Sequence, residues 1–250
     1  MSTAIVVAVI SGVVSLAAAA ISLLSARSVA RLNSELEERR HARSKEEQAA
    51  DLRSRYRDPL LGAAFDLQSR LYNIVAKDFL IRYCGEDDQS SRTYAVENTL
   101  YVLAEYLGWV EILRREIRFL DLGGELANRQ WVTTLERVRD AFARDDIDPV
   151  LRVFRGDQRA IGEVMTVTGE GERRECRGYA SFAVERQRRD FSRWFEPLEA
   201  DIQLLSREPS QHLERPVLLQ HALVDVVELL DPKCARFSAE RRTRLDTPAA

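Results

Sequence analysis

Hydrophobic and polar positions change their pattern twice along the chain. From Ala4 to Leu24 (AIVVAVISGVVSLAAAAISLL), 21 consecutive residues carry no charge. At about 1.5 Å rise per residue that run spans roughly 31 Å, the thickness of a bilayer's hydrocarbon core, so it predicts a transmembrane helix. A cleaved leader needs a positive flank ahead of a shorter apolar run, and only Met1, Ser2 and Thr3 precede this one. Residues 25–57 contain neither Gly nor Pro, and their apolar stripe (Val29, Leu32, Leu36) fades into EERRHARSKEEQ. This predicts a charged helical stalk, up to about 50 Å long if fully helical.

After the stalk, helical spacing returns with Leu60, Ala64, Phe65, Leu67, Leu71 and Ile74. Asp58-Pro59 has the form of an N-cap followed by proline at the first helical position, and Asp148-Pro149 repeats it. The pattern predicts helices at 59–83, 93–121, 126–143, 149–165, 179–206 and 213–230, with Pro197 kinking or splitting the fifth. Thr166–Thr168 and Glu175–Tyr179, around Gly169-Glu170-Gly171, suit one short hairpin. Thr99 to Leu113 (TLYVLAEYLGWVEIL) is apolar almost all round, broken by Glu105 and Glu111. It is too short, and two carboxylates are too costly, for a second span; an all-round apolar helix belongs at the centre of a bundle. The expected architecture is all-α: a single transmembrane helix (4–24), a charged stalk (25–57), a cytoplasmic bundle of about six helices (58–234) and a polar, flexible tail (235–250).

Charge sets the expected orientation. No Lys or Arg precedes the apolar run, whereas Arg27, Arg31, Arg39, Arg40, Arg43 and Lys45 follow it. The positive-inside rule places the N-terminus outside and the bulk of the chain in the cytoplasm, on the plasma (inner) membrane. Cys84, Cys176 and Cys234 are odd in number and form no CxxC pair, as expected of a reducing compartment. Residues 27–57 hold nine basic against six acidic residues, net +3, and the rest of the chain is net −6. An acidic domain without a broad basic face gives no footprint for nucleic acid. Small residues at Ala8, Gly12, Ser15, Ala19 and Ser22 share one face of the membrane helix, which suits a parallel homodimer.

The sequence holds few groups for catalysis. It has three His: His41 in the stalk, His212 in a loop and His221 in an apolar helix, where a hydrogen-bonded core role is expected. HExxH, GxSxG, GxxxxGK[ST] and paired CxxC motifs are absent, so no catalytic, cofactor-binding or metal-ligating residue is assigned. Two constellations remain. Tyr101, Glu105 and Trp109 share a helix face, with Asn98 a turn earlier and Gly108 beside them. A desolvated carboxylate there is either a tuned acid–base or the core partner of an arginine or tyrosine. The second is arginine: Arg152, Arg155, Arg159, Arg173, Arg174, Arg177, Arg186, Arg188, Arg189 and Arg193, whose guanidinium groups suit phosphate oxygens if their faces converge. The leading expectation is a membrane-anchored protein that acts by binding, as scaffold or regulator. A sensor or effector that takes an anionic small molecule comes second, and an enzyme centred on Glu105 third.

Overall fold

Helical spacing of apolar residues organises the chain, which this computed structural model describes at residues 36, 37, 39, 40, 43, 44, 55–85, 88–116, 125–169, 171 and 173–247. Of the described residues 74% are helical and few are in strands, so the all-α expectation holds. The chain divides into two compact units, Met1–Asp51 and Leu52–Ala250. In the first, the described residues are helical. The apolar run 4–24 and the small-residue stripe at Ala8, Gly12, Ser15, Ala19 and Ser22 lie outside the described residues, as does His41. Among the described residues no helix is long and apolar enough to cross a membrane.

In the second unit, α1 (helical over 55–76) buries Leu60, Ala64, Leu67 and Leu71 at alternating spacings of four and three. The helix already runs at residue 55, so Asp58-Pro59 lies inside it and does not cap its start. The expected single helix over 59–83 is two: Asp78 adopts a left-handed conformation (φ 52°), which stops α1 before α2 (Phe79–Cys84) begins. α3 (Gln89–Glu116) is the 28-residue centrepiece and contains the apolar 99–113 stretch. It packs on α2, on α5 (Arg155–Met165), on a hairpin of β1 (Thr166–Thr168) and β2 (Arg174–Cys176), and on α6 (Tyr179–Glu185) and α8 (Glu196–Arg207). α4 (Glu125–Ala143) lies against α5 and α9 (Glu214–Leu230). The hairpin forms with Thr166 opposite Cys176, so its second strand comes one residue earlier than expected and is shorter.

Two further helix boundaries differ from the sequence pattern. Asp148-Pro149 starts a turn and not a helix: the Asp148 carboxylate accepts from Val150 N–H at 2.8 Å, and Leu151 is left-handed (φ 59°). The 179–206 segment splits into α6, a short α7 (Arg189–Ser192) and α8, with Pro197 in the first turn of α8.

The segment expected to be a flexible tail is fastened to the bundle through residue 245. Asp231 accepts backbone N–H bonds from Ala235, Arg236 and Phe237 at 2.8–3.1 Å and pairs with the buried Arg242. The Phe237 ring stacks on Phe65 of α1, with centroids 3.6 Å apart. Gln220 of α9 donates to Gln68 of α1 (3.2 Å) and to the Thr243 carbonyl (2.9 Å), and accepts from Leu245 N–H (3.2 Å). His221 is hydrogen-bonded to the Leu245 carbonyl at 2.7 Å.

Candidate functional site

The face formed by Tyr101, Glu105 and Trp109 is closed by other parts of the protein. The Tyr101 hydroxyl donates to the Glu105 carboxylate, so the tyrosine partner is the one present. Asn98 accepts from Arg70 of α1, and the Tyr101 ring meets Tyr179 and Phe182 edge-on at 5.2 and 5.6 Å. A Cβ on Gly108 would lie 2.6 Å from the Cys176 sulfur, so glycine here admits the hairpin against α3 and leaves no space for a ligand. Burial pushes the Glu105 carboxyl above its ordinary range; the Tyr101 bond opposes this, and the Asp66 charge adds to it. Burial likewise pushes the Cys176 thiol up to about 12, with Glu105 contributing, which leaves it a poor nucleophile.

A raised Glu105 value means that the folded protein accommodates the protonated carboxyl better than the charged one. Its contribution to stability is present below about pH 4.3, the ordinary glutamate value, and is lost as pH rises through the higher folded-state value. Glu105→Gln is neutral at every pH. It is expected to melt at or above the wild-type temperature at about pH 8 and to flatten the fall in melting temperature above pH 4.3. A clear loss of melting temperature at pH 8 contradicts this account of Glu105.

The sequence-grouped arginines disperse among separate partners. Arg155 bridges Glu136 (2.9 Å) and Asp140 of α4, Arg174 pairs with Glu116 (3.0 Å), and Arg188 pairs with Asp190 (3.2 Å). Arg186 is bound to Ser192 (2.7 Å) and Glu199, while Arg193 stacks over Trp194. Of the ten, Arg159 alone lines a cleft between α3, α4 and α5, and Arg155 lines a second one along α4 and α9.

That cleft, of about 320 Å³, opens between α3, α4 and α5. Its walls are Leu107, Val110 and Leu113 from α3 and Trp131, Val132 and Leu135 from α4, and Gln158 and Arg159 of α5 also line it. The charged groups along α3 and α4 are already paired. Glu111, 2% exposed, takes two bonds from Arg114 (2.7 and 2.8 Å) and one from Arg115 (2.6 Å), and Arg139 binds Glu136. Burial alone would raise the Glu111 carboxyl, but Arg114 and Arg115 outweigh it and hold the group below the usual range.

Three residues that line the cleft keep a group without a partner, and those of Gln158 and Trp131 are closed off from its open space. Gln158, 4% exposed, gives both N–H donors to carbonyls, those of Arg139 (3.0 Å) and Val153 (2.8 Å). Because both partners are acceptors, the amide orientation is fixed and Oε1 is left buried without a donor. The Trp131 indole N–H is buried without an acceptor. Arg159 forms no ion pair among the described residues. Neither Trp131 nor Gln158 stood out in the sequence: an amphipathic helix with one tryptophan and a helix with one glutamine carry no sign of which polar atoms end up unmet.

No protein family, curated protein or solved structure matches the chain.

Proposed function

We propose that the protein is a membrane-anchored binding protein whose α3/α4/α5 cleft takes a small amphipathic ligand. Residues 4–24 serve as the anchor, with the N-terminus outside and the Leu52–Ala250 unit in the cytoplasm. The uncharged run and the arginine asymmetry around it support this arrangement. The observation that carries the binding reading is the cleft itself: apolar walls from three helices around open space, with the exposed Arg159 in its lining. A volume near 320 Å³ falls at the lower end of the range for small-molecule sites.

Thermal melting of the full-length chain with hexanamide, an apolar tail on an amide, tests this reading. A ligand at ten times its dissociation constant stabilises by about 1.4 kcal/mol, or roughly 3–6 °C for a unit of this size. Val132 is 57% exposed on the cleft wall, so Val132→Trp narrows the site from outside the core. The variant is expected to melt like the wild type and to lose the hexanamide shift. Equal shifts in both proteins, or no shift in the wild type, contradict the reading.

A further inference from the structure

The lining of the α3/α4/α5 cleft holds one positive charge more than its own carboxylates neutralise. We propose that its ligand class is a medium-chain fatty-acid carboxylate: an unbranched apolar chain ending in a single negative charge. The proposal rests on the binding reading above and adds the charge and length of the ligand to it.

The charges pair off in order along the helices. Asp140, Glu136 and Val132 recur at four-residue spacing on α4, and Arg155 and Arg159 do so on α5. Arg155 takes both of the α4 carboxylates, Glu136 and Asp140. One turn on, Arg159 shares the cleft with Val132, where α4 offers no acid. Glu163, a further turn along α5, is held by Arg115 at 2.8 Å. Arg114, Arg139 and Arg159 therefore line the cleft beside only two carboxylates, Glu111 and Glu136. Arg114 is bound to Glu111 and Arg139 to Glu136, which leaves Arg159 without a counterion among the described residues.

That remaining charge sets the head group. A cationic amphiphile would be repelled there, and a neutral one would leave the guanidinium unused. A phosphate monoester carries about −1.5 to −2 at neutral pH, more than one arginine balances beside Glu111 and Glu136. A carboxylate brings one charge and two oxygens in a geometry that matches the planar fork. The walls set the tail: Leu107, Val110 and Leu113 of α3 and Leu135 of α4 present only hydrocarbon, which suits a chain without polar branches. At the roughly 30 Å³ that a water-sized group occupies in the liquid, the cleft holds about ten non-hydrogen atoms, the size of octanoate.

Isothermal titration of the full-length chain in lipid nanodiscs with octanoate, octanamide, octylammonium and octyl phosphate tests this, cleft binding being the heat that Val132→Trp loses. Octanoate is expected to bind at least about tenfold more tightly than octanamide, a difference of about 1.4 kcal/mol. Arg159 is exposed, so Arg159→Gln should melt like the wild type, bring octanoate to the octanamide level and leave octanamide binding unchanged. Equal affinity for octanoate and octanamide, an advantage that survives in Arg159→Gln, or tighter binding of octylammonium or octyl phosphate overturns the ligand class. Octanamide binding that Val132→Trp loses then shows that the cleft reading itself survives. If no compound gives heat that Val132→Trp loses, the ligand class and the cleft reading fall together.

Discussion

Arg215→Met is expected to lower the stability of the Leu52–Ala250 unit by about 3–5 kcal/mol, a large fraction of the total for a folded unit. Arg215 is 0% exposed, the largest of the fully buried side chains. Among the described residues its guanidinium has no carboxylate in hydrogen-bond contact. It donates instead to the carbonyls of Ala141 (2.6 Å), Phe142 (3.1 Å), Arg144 (2.6 Å) and Asp148 (2.9 Å). These oxygens belong to the last residues of α4 and the turn after it, where a helix leaves its carbonyls without partners and carries partial negative charge. One side chain from α9 therefore closes α4 and holds the Asp148 turn. Burial lowers the proton affinity of this guanidinium, the nearby Arg152 adds to that, and Asp148 and Glu214 oppose it; an arginine remains charged throughout. Methionine fills the volume but takes the side-chain donor from all four carbonyls, although Phe142 keeps Val153 N–H at 3.0 Å. Lysine, with three donors on one point, restores part of the set. Urea unfolding should rank wild type above Arg215→Lys and Arg215→Lys above Arg215→Met; a methionine variant within about 1 kcal/mol of wild type contradicts this account.

Gly162→Ala is expected to cost about 2–3 kcal/mol, although alanine is the better helix former. A Cβ at this position would lie 2.5 Å from the Glu111 Cβ and 2.8 Å from the Leu107 carbonyl oxygen. The oxygen belongs to the α3 backbone and cannot rotate away, so α5 must move off α3. The shift propagates to the cleft, since Gln158 lies one turn earlier on α5 and Leu107 and Glu111 belong to its α3 wall. Gly162→Ala should therefore weaken ligand binding as well as stability. Gly156, on the same helix, faces open space: a Cβ there would meet nothing within 4 Å, and Gly156→Ala should instead stabilise by about 0.5–1 kcal/mol. Opposite signs for these two substitutions in thermal melts are the expected result. The same sign for both contradicts close α3/α5 contact through Gly162.

The helices were legible because their apolar residues recur at helical spacing. The 99–113 stretch stood out for the same reason: a run apolar on every side has only a core to occupy. The interruptions were not legible. Asp78 breaks α1 from α2 by a left-handed backbone that aspartate tolerates but does not announce, and Asp148-Pro149 has the same two residues whether it caps a helix or starts a turn. The segment around Arg242 has the composition of a solvated tail, yet Arg242 is 7% exposed and bound to Asp231. Composition records polarity and not pairing. The cleft was hidden for the converse reason: its walls are apolar residues of three helices, and which of them stay uncovered is a property of the helices packed together.

The indole N–H of Trp131 reports directly on whether the cleft takes a ligand. The chain has three tryptophans, so nitrogen-15 labelling of that residue type in the full-length protein gives three indole resonances, assigned by Trp109→Phe and Trp194→Phe. Titration with hexanamide is expected to move the Trp131 resonance saturably, as the ligand settles against a side chain that lines the cleft, while those of Trp109 and Trp194 stay in place. A Trp131 resonance that does not move at saturating probe would contradict the claim that this cleft is a binding site.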